Sequence, residues 1–423
     1  MLLLAFIATL LTYASVVTAE SNHELLLSLN KDLLRSLDTQ DGLPNPSIHL
    51  ALRLSNYHNL AKEAEYLNKL KNALHNDIQS SLLHSQPVTG IMALYILALK
   101  SSCYNISTIT FTINGKTQVP VMQLKTQMDQ EKKNFALSGR PLTNYYQYSL
   151  GVIALCVSGV RVNNHVTNKL IIATEYDCFK HGDIVSIDTY AMAGMALQCV
   201  KDAGYHVHNA AELDTALAKI KQKLLASRRT DGHLGNEFST GNAVQALLAM
   251  GSPVTEFAAS TEAIRTSVRA NVYHNPMGMS QILPALHQKS YLSLRNKKCL
   301  NEDDTLVLEP EEPELVESTD CSVNVKVEVV KHDGTKTNYA LDVPTGSTLL
   351  KVLELLKGKN VGFTFEVQTS LWGPFLSAIN GEQARQSDKR YWHLSSDGSA
   401  LNEGVGDYTV ENDQKIGIQN KGY

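Results

Sequence analysis

An apolar segment rich in alanine and leucine occurs six times between about residue 47 and residue 300, and each copy begins at a serine, threonine, asparagine or aspartate. The starts are 42, 55, 44, 51 and 41 residues apart and fall at Ser47, Thr89, Asn144, Asp188, Ser239 and Ser280. Each interval has room for two helices. The recurrence predicts six helix pairs, arranged either as an open solenoid or as a closed toroid with an inner and an outer ring.

In a toroid, the six conspicuous segments would form the inner ring and gather their polar first residues at one mouth. The polar side chains near these starts are neutral except for one aspartate: Thr143, Tyr145, Tyr146, Gln147, Asp188, Thr189, Asn236, Asn242, Gln245, Asn275 and Gln281. Such groups suit a ligand that carries many amides and hydroxyls, because each buried polar atom needs a partner. The alternative for any single residue is a helix N-cap or a helix-surface position.

The chain after the helical region changes in character. Residues 301–320 contain nine acidic residues and no lysine or arginine, which predicts a solvated linker. Alternating polarity on both sides of Asp333-Gly334 predicts a hairpin, and residues 345–348 predict the cap of a short helix. With 423 residues in total, we expect a helical domain at 20–300, a linker at 301–320 and a mixed, β-rich α+β domain at 321–423.

The first 19 residues are apolar and end in small residues, which is typical of a signal peptide cleaved before Glu20. An uncleaved anchor is the competing interpretation, although the stretch is short for a membrane span. We therefore expect a secreted protein without membrane insertion, glycosylated at Asn105 in the sequence Asn-Ile-Ser. A net charge of −4 argues against nucleic acid as a partner. Six cysteines favour three disulfides, for which spacing alone allows fifteen pairings.

A search for catalytic motifs finds no nucleophile elbow, phosphate loop, zinc-protease motif or dinucleotide fingerprint. The alternative function is a glycoside hydrolase, because toroids of paired helices include such enzymes. Its general acid and base would be Asp188 with Asp231 or Glu237. A sugar-stacking cleft would need tryptophans inside the helical region, but both tryptophans, Trp372 and Trp392, lie outside it.

Several segments resemble the cobalamin carriers of animals, the family of transcobalamin, intrinsic factor and haptocorrin. They are GRPLTNYYQYSLGVIALC from Gly139, SIDTYAMAGMALQC from Ser186, DGHLGNEFSTGNAVQALL from Asp231, MSQILPAL from Met279 and GFTFEVQTSLWGPFL from Gly362. The resemblance runs in the same order from about residue 25 to the C-terminus. It implies an α6/α6 barrel followed by a smaller β-rich domain, with cobalamin as cargo held between the two. It also implies no enzymatic activity, a monomer, and uptake through a cell-surface receptor.

The resemblance also assigns roles to individual residues. From the barrel, it implies corrinoid contacts by Thr143, Tyr146, Gln147, Asp188, Asn236 and Gln281, with Gln245 and Asn275 in second rank. From the small domain, it implies a closing face made of Ser370, Leu371, Trp372, Gly373 and Trp392. Two family disulfides match Cys103 with Cys299 and Cys156 with Cys199.

This chain departs from the family pattern in three respects. One is Ile91, which occupies a position ahead of an inner helix where the family often has a glutamine. The family's third disulfide has no counterpart, which leaves Cys178 and Cys321 either bridged to each other or as two free thiols. Transcobalamin has a cobalt-coordinating histidine at the position that Val185 occupies here. We therefore expect no protein ligand to the metal, and His181 is a weak candidate for a substitute.

Overall fold

The protein is described here by a computed structural model, which covers residues 22–38, 44–83, 87–113, 115–181, 184–205, 210–309, 322–359, 361–370, 373–384, 390–401 and 403–422. The chain divides into two compact units, Met1–Leu308 and Glu309–Tyr423. The proposed signal peptide, Cys321, Leu371 and Trp372 lie outside the described residues. No helix among the described residues is long and apolar enough to cross a membrane.

The first unit is built from helices. Helix α1 covers residues 22–38. It is followed by α2 (Pro46–Leu54), α3 (Leu60–Leu83), α4 (Thr89–Ser101), α5 (Pro120–Ser138), α6 (Tyr145–Val157), α7 (Asn164–Glu175), α8 (Ile187–Asp202), α9 (Ala210–Ala226), α10 (Glu237–Ala249), α11 (Ala258–Arg269) and α12 (Pro276–Leu286). Two short hairpins interrupt this series: β1 (Phe111–Ile113) with β2 (Lys116–Gln118), and β3 (Lys180–His181) with β4 (Ile184–Val185).

The even-numbered helices form a closed inner ring. Each of them packs against the next, in the order α2, α4, α6, α8, α10 and α12, and α12 returns to pack against α2. Helices α4, α6, α8 and α10 are buried along most of their length, whereas α5, α7, α9 and α11 bury only part of their surface. The closed toroid is therefore confirmed and the open solenoid is wrong.

Glycines in the inner helices permit very close packing. A Cβ on Gly241 of α10 would lie 2.4 Å from the backbone oxygen of Gln281 in α12, so a side chain there would force the two helices apart. A Cβ on Gly151 of α6 would lie 2.5 Å from Sδ of Met128 in α5. The first glycine thus brings two ring helices into contact, and the second brings a ring helix against an outer one.

Two disulfides connect parts of the first unit. Cys156 of α6 is bonded to Cys199 of α8, and Cys103 is bonded to Cys299. Both pairings are those that the family resemblance implied. Cys178 is an exposed thiol without a disulfide partner among the described residues, and Cys321, its expected partner, lies outside them.

The beginning of the acidic stretch belongs to the first unit. Glu302 forms ion pairs with Arg53, at 2.5 Å, and with Lys297, at 2.9 Å, and Leu306 is buried. Arg53 is itself buried and also pairs with Glu63 at 2.7 Å. Because a buried guanidinium requires carboxylate partners, Glu302 is held against the first unit, although composition alone assigned residues 301–320 to a solvated linker.

The second unit is β-rich. Strands β5 (Ser322–Val330), β6 (Lys336–Pro344), β10 (Arg390–Ser396), β11 (Ser399–Ala400) and β12 (Lys415–Gly422) form a sheet of order β11-β10-β12-β5-β6, in which only the β12–β5 pair is parallel. Strands β7 (Phe365–Ser370), β8 (Gly373–Ile379) and β9 (Glu382–Gln383) form a second sheet. The predicted β5–β6 hairpin is confirmed, and Thr348 caps helix α13 (Leu349–Gly358) as predicted.

Candidate functional site

The N-terminal ends of neighbouring inner helices lie side by side. Thr89 begins α4 and Thr143 precedes α6, and the hydroxyls of both donate to the carboxylate of Glu131. Tyr273 precedes α12, and its hydroxyl donates at 2.8 Å to the backbone oxygen of Glu237, the first residue of α10. The polar first residues therefore collect at one end, as the toroid prediction requires. We call this end the polar mouth.

The barrel residues predicted to contact the corrinoid lie on or just before four consecutive inner helices. They are Thr143, Tyr146 and Gln147 at α6, Asp188 in α8, Asn236 and Gln245 at α10, and Asn275 and Gln281 at α12. Because these four helices are neighbours in the ring, the fold brings the eight residues onto one continuous arc of the barrel wall.

Helix capping uses some of these side chains but not Asp188. Oδ1 of Asn236 and Oδ1 of Asn275 each accept the backbone N–H three residues later, at 2.7 and 2.6 Å. Helix α8 is capped by Ser186, and Asp188 lies inside its first turn. The capping interpretation thus applies to the two asparagines, whose amide nitrogens are not used by the cap, and it is wrong for Asp188.

Asp188 is held by a neighbouring inner helix. Nδ2 of Asn242 in α10 donates to Oδ1 of Asp188 at 2.9 Å. Tyr146 lies close to the same pair, and burial, together with nearby Tyr291 and Asp188, raises the pKa of its hydroxyl well above the usual value. The mouth therefore presents one anchored carboxylate beside a phenol that stays protonated at neutral pH.

Two amide oxygens on α10 are buried without a hydrogen-bond donor. Asn242 is 1% exposed and Gln245 is 0% exposed, and neither Asn242 Oδ1 nor Gln245 Oε1 accepts a hydrogen bond. Nε2 of Gln245 donates at 3.4 Å to the backbone oxygen of Gln281. Unpaired buried acceptors are unfavourable, so the wall beneath the mouth has unused capacity to accept N–H groups.

Glu131 is a part of the site that sequence reasoning missed. This buried carboxylate on the outer helix α5 accepts from the Thr143 hydroxyl at 2.6 Å, from the Thr143 backbone N–H at 3.1 Å and from the Thr89 hydroxyl at 2.7 Å. With its proton directed to Glu131, the Thr143 oxygen can act toward a ligand only as an acceptor. No motif marks Glu131, because its importance depends on a contact across 12 residues and another across 42.

The carboxylates considered for glycoside hydrolysis have other partners. Asp231 and Glu237 are both ion-paired with Arg229, at 2.8 and 3.2 Å. Asp188 is bound to Asn242 instead. None of the three is an unengaged acid or base in this structure.

The small-domain candidates divide into a strand pair and a core residue. Ser370 ends β7 and Gly373 begins β8, and the two residues face each other in the ladder. Trp392 is 6% exposed and belongs to the hydrophobic core of the second unit, and its Nε1 has no hydrogen-bond partner. Trp392 thus packs in the core of the second unit, and its contact with the corrinoid stays a prediction.

The hairpin ahead of α8 contains the position that was compared with a cobalt-binding histidine. Val185 is 41% exposed, and His181 pairs through its backbone with Ile184 on the opposite strand. The side chain of His181 is outside the described part of the chain. The hairpin thus carries an exposed hydrocarbon at the compared position.

A closed ring of inner helices with a polar, amide-rich mouth defines a class of α/α barrel suited to bind a large polar ligand. Comparisons with known proteins narrow this class. The family model described as eukaryotic cobalamin-binding protein matches residues 1–319, and a domain of unknown function matches residues 346–422. The chain belongs to the eukaryotic cobalamin-binding family, and it is a cobalamin-binding transport protein.

Individual relatives agree with this assignment. The chain is 33% identical to transcobalamin-2 of Bos taurus over 427 residues, covering 96% of this chain and 94% of the relative. It is 27% identical to cobalamin binding intrinsic factor of Homo sapiens, covering 95% and 93%. The fold matches a crystal structure of haptocorrin in complex with Cbi with a TM-score of 0.67 at 23% identity, covering 96% of this chain and 98% of that one. The α6/α6 barrel with a β-rich second unit is thereby confirmed, and nothing supports the glycoside hydrolase.

Proposed function

We propose that the polar mouth binds the corrinoid through its amide side chains. The contacts come from Thr143, Tyr146, Gln147, Asp188, Asn236 and Gln281, with Gln245 and Asn275 as additional partners. A corrinoid carries several primary amides, which donate and accept hydrogen bonds without net charge. The neutral side chains of the mouth match this chemistry, and the Asp188 carboxylate is an acceptor for an amide N–H.

The observation that carries this proposal is the Asp188–Asn242 pair. Asn242 holds one oxygen of Asp188, which fixes the carboxylate at the start of α8 although it does not cap that helix. The unpaired oxygen of Asn242 lies on the same side chain. Pre-positioned acceptors lower the entropic cost of ligand binding, because their rotamers are set before the ligand arrives. The residues present therefore fit an amide-rich cargo.

We further propose that residues 370–373, between β7 and β8, close over the cargo through backbone groups. A backbone contact suits this segment because Gly373 offers no side chain, while Trp392 supports the sheet from the core. Val185 leaves the upper face of the cobalt without an imidazole. Bound aquocobalamin should therefore keep an exchangeable water, which added cyanide replaces readily.

The protein we envisage is a secreted, non-enzymatic, monomeric carrier that a cell-surface receptor takes up. Its leader sequence supports export, and its two disulfides fit an oxidising compartment. Asn105 is exposed and its Oδ1 accepts the Ser107 hydroxyl at 2.8 Å, so the acceptor sequence is accessible for glycosylation. These features support delivery of cobalamin outside the cell.

The test is to mix the purified full-length chain with cyanocobalamin and dialyse. A carrier gives a coloured one-to-one complex that dialysis does not remove, and Asp188→Ala releases the cargo faster. The matched control is Asp202→Ala, at the other end of the same helix. A colourless protein after dialysis would contradict the proposal, and release of reducing ends from glycans would point to hydrolysis instead.

A further inference from the structure

Outside the corrinoid contacts, one group of metal-ligating side chains stands out among the described residues. One ligand atom each from Asp231, His233 and Glu237 lies within 4.8 Å of the other two. Asp231 and His233 belong to the turn that leads from α9 into α10, and Glu237 is the first residue of α10. Gly232 in this turn has a φ of +94°, which lets the chain fold back tightly and bring Asp231 beside His233.

The histidine is buried and one of its nitrogens is unused. His233 is 5% exposed, and its Nε2 is 3.1 Å from the hydroxyl of Ser267. Nδ1 makes no hydrogen bond, although it lies 3.3 Å from Oδ1 of Asp231. Since Nε2 is engaged by Ser267, a neutral ring can direct the Nδ1 lone pair at the carboxylates. Lone pairs converging from a ring nitrogen and two carboxylates favour a cation between them.

From this geometry we propose that Asp231, His233 and Glu237, none of which is a proposed corrinoid contact, form a zinc site. One imidazole nitrogen and two carboxylate oxygens are ligands that Zn²⁺ accepts, with water completing a tetrahedral shell. Mg²⁺ and Ca²⁺ are less suitable, because they prefer all-oxygen shells. The nitrogen ligand is therefore what gives the site its selectivity.

The guanidinium of Arg229 lies against two of the three proposed ligands. Its guanidinium bridges Asp231, at 2.8 Å, and Glu237, at 3.2 Å, and its side chain is 45% exposed. An exposed arginine can move into solvent at little cost, so Zn²⁺ replaces a weak surface ion pair rather than a buried one. Arg229 thus competes with the metal, and its removal should strengthen zinc binding.

The experiment is a calorimetric titration of the full-length, EDTA-treated chain with ZnCl₂, with and without bound cobalamin. We expect one Zn²⁺ per chain in both states. Glu237→Gln and His233→Ala should weaken binding at least tenfold, and Arg229→Met should strengthen it severalfold. His165→Ala is the matched control, because it removes an exposed histidine from α7 and should change nothing.

Melting curves separate metal binding from misfolding. Zn²⁺ should raise the melting temperature of the unmodified chain and of Arg229→Met but not that of Glu237→Gln, whose substituted side chain is at the surface. If His233→Ala fails to fold, the two surface variants decide the question. The assignment is overturned if Zn²⁺ binding does not saturate, or if Glu237→Gln binds Zn²⁺ as tightly as the unmodified chain. It is also overturned if His165→Ala loses as much affinity as the ligand variants, or if the chain binds MgCl₂ as tightly as ZnCl₂. If Arg229→Met binds Zn²⁺ with unchanged affinity, Arg229 does not compete with the metal.

Discussion

Replacing Glu131 with glutamine tests whether an outer-ring residue controls corrinoid binding. The carboxylate accepts three hydrogen bonds, at 2.6, 2.7 and 3.1 Å. Glutamine has a single acceptor oxygen, and if this serves the hydroxyls of Thr89 and Thr143, its NH₂ group faces the Thr143 backbone N–H. One bond is lost, and the other two change from charge-assisted to neutral bonds.

The expected magnitude follows from these losses. An unpaired buried N–H costs about 1–3 kcal/mol, and charge-assisted bonds are about twice as strong as neutral ones. Burial of an uncharged amide, which costs less than burial of a carboxylate, offsets part of this. We expect Glu131→Gln to lower the free energy of unfolding by about 2–4 kcal/mol. Because Thr143 is held less firmly, cobalamin should dissociate about tenfold faster, equivalent to about 1.4 kcal/mol.

The assay is the release of labelled cobalamin into an excess of unlabelled cobalamin, with urea unfolding measured in parallel. Thr89→Val is the control, because it removes one donor to Glu131 and leaves both bonds to Thr143 intact. It should lose stability but retain the normal release rate. If Glu131→Gln is destabilised as expected yet releases cobalamin at the rate of the unmodified chain, Glu131 has only a structural role and the reasoning is refuted.

Three further predictions follow from the same structure. Asp188→Ala should weaken cobalamin binding by about 1–3 kcal/mol, and it should also lower stability because Nδ2 of the buried Asn242 loses an acceptor. Ser186→Ala, which removes the cap of α8, should lower stability by about 0.5–2 kcal/mol with little change in affinity, and melting curves with and without cobalamin compare the two variants. Burial lowers the pKa of His287 from 6.5 to about 4. The contribution of the neutral imidazole to stability is therefore fully present above pH 6.5, and it falls by about 1.4 kcal/mol for each pH unit between 6.5 and 4. The difference between the urea midpoints at pH 7.5 and pH 5 should be smaller in His287→Gln than in the unmodified chain. Cys178 should react with iodoacetamide in the native protein while the other four described cysteines do not, and recovery of an unreduced peptide linking it to Cys321 would contradict this.

The features that sequence predicted best are those set by local pattern. Six helical segments with polar starts were enough to infer paired helices, because helical period and capping act within a few residues. The same reasoning placed the hairpin around Asp333-Gly334 and the cap at Thr348. Closure of the ring and the two disulfides required the family resemblance, since neither spacing nor composition distinguishes a toroid from a solenoid.

The features that sequence did not predict depend on contacts between distant residues. Glu131 carries no motif, and it matters because α5 places it beside Thr143. Glu302 was assigned to a linker by composition, yet the buried charge of Arg53, 249 residues earlier, draws it into the barrel unit. Asp188 was expected to be either a cap or a ligand contact, and only the position of Ser186 excludes the first. Tertiary pairing of buried charge has no signature in a single sequence.

The return of α12 to α2 determines how this barrel can vary and fold. An open array can gain or lose a terminal repeat, because each repeat contacts only its neighbours. A closed ring has no terminal repeat, so an added or deleted helix pair would change its circumference and disturb every interface. Variation in length should be confined to the connecting loops, and unfolding should be cooperative around the whole circumference. Since the first and last ring helices are neighbours, joining their ends and opening the chain at another loop should preserve the barrel.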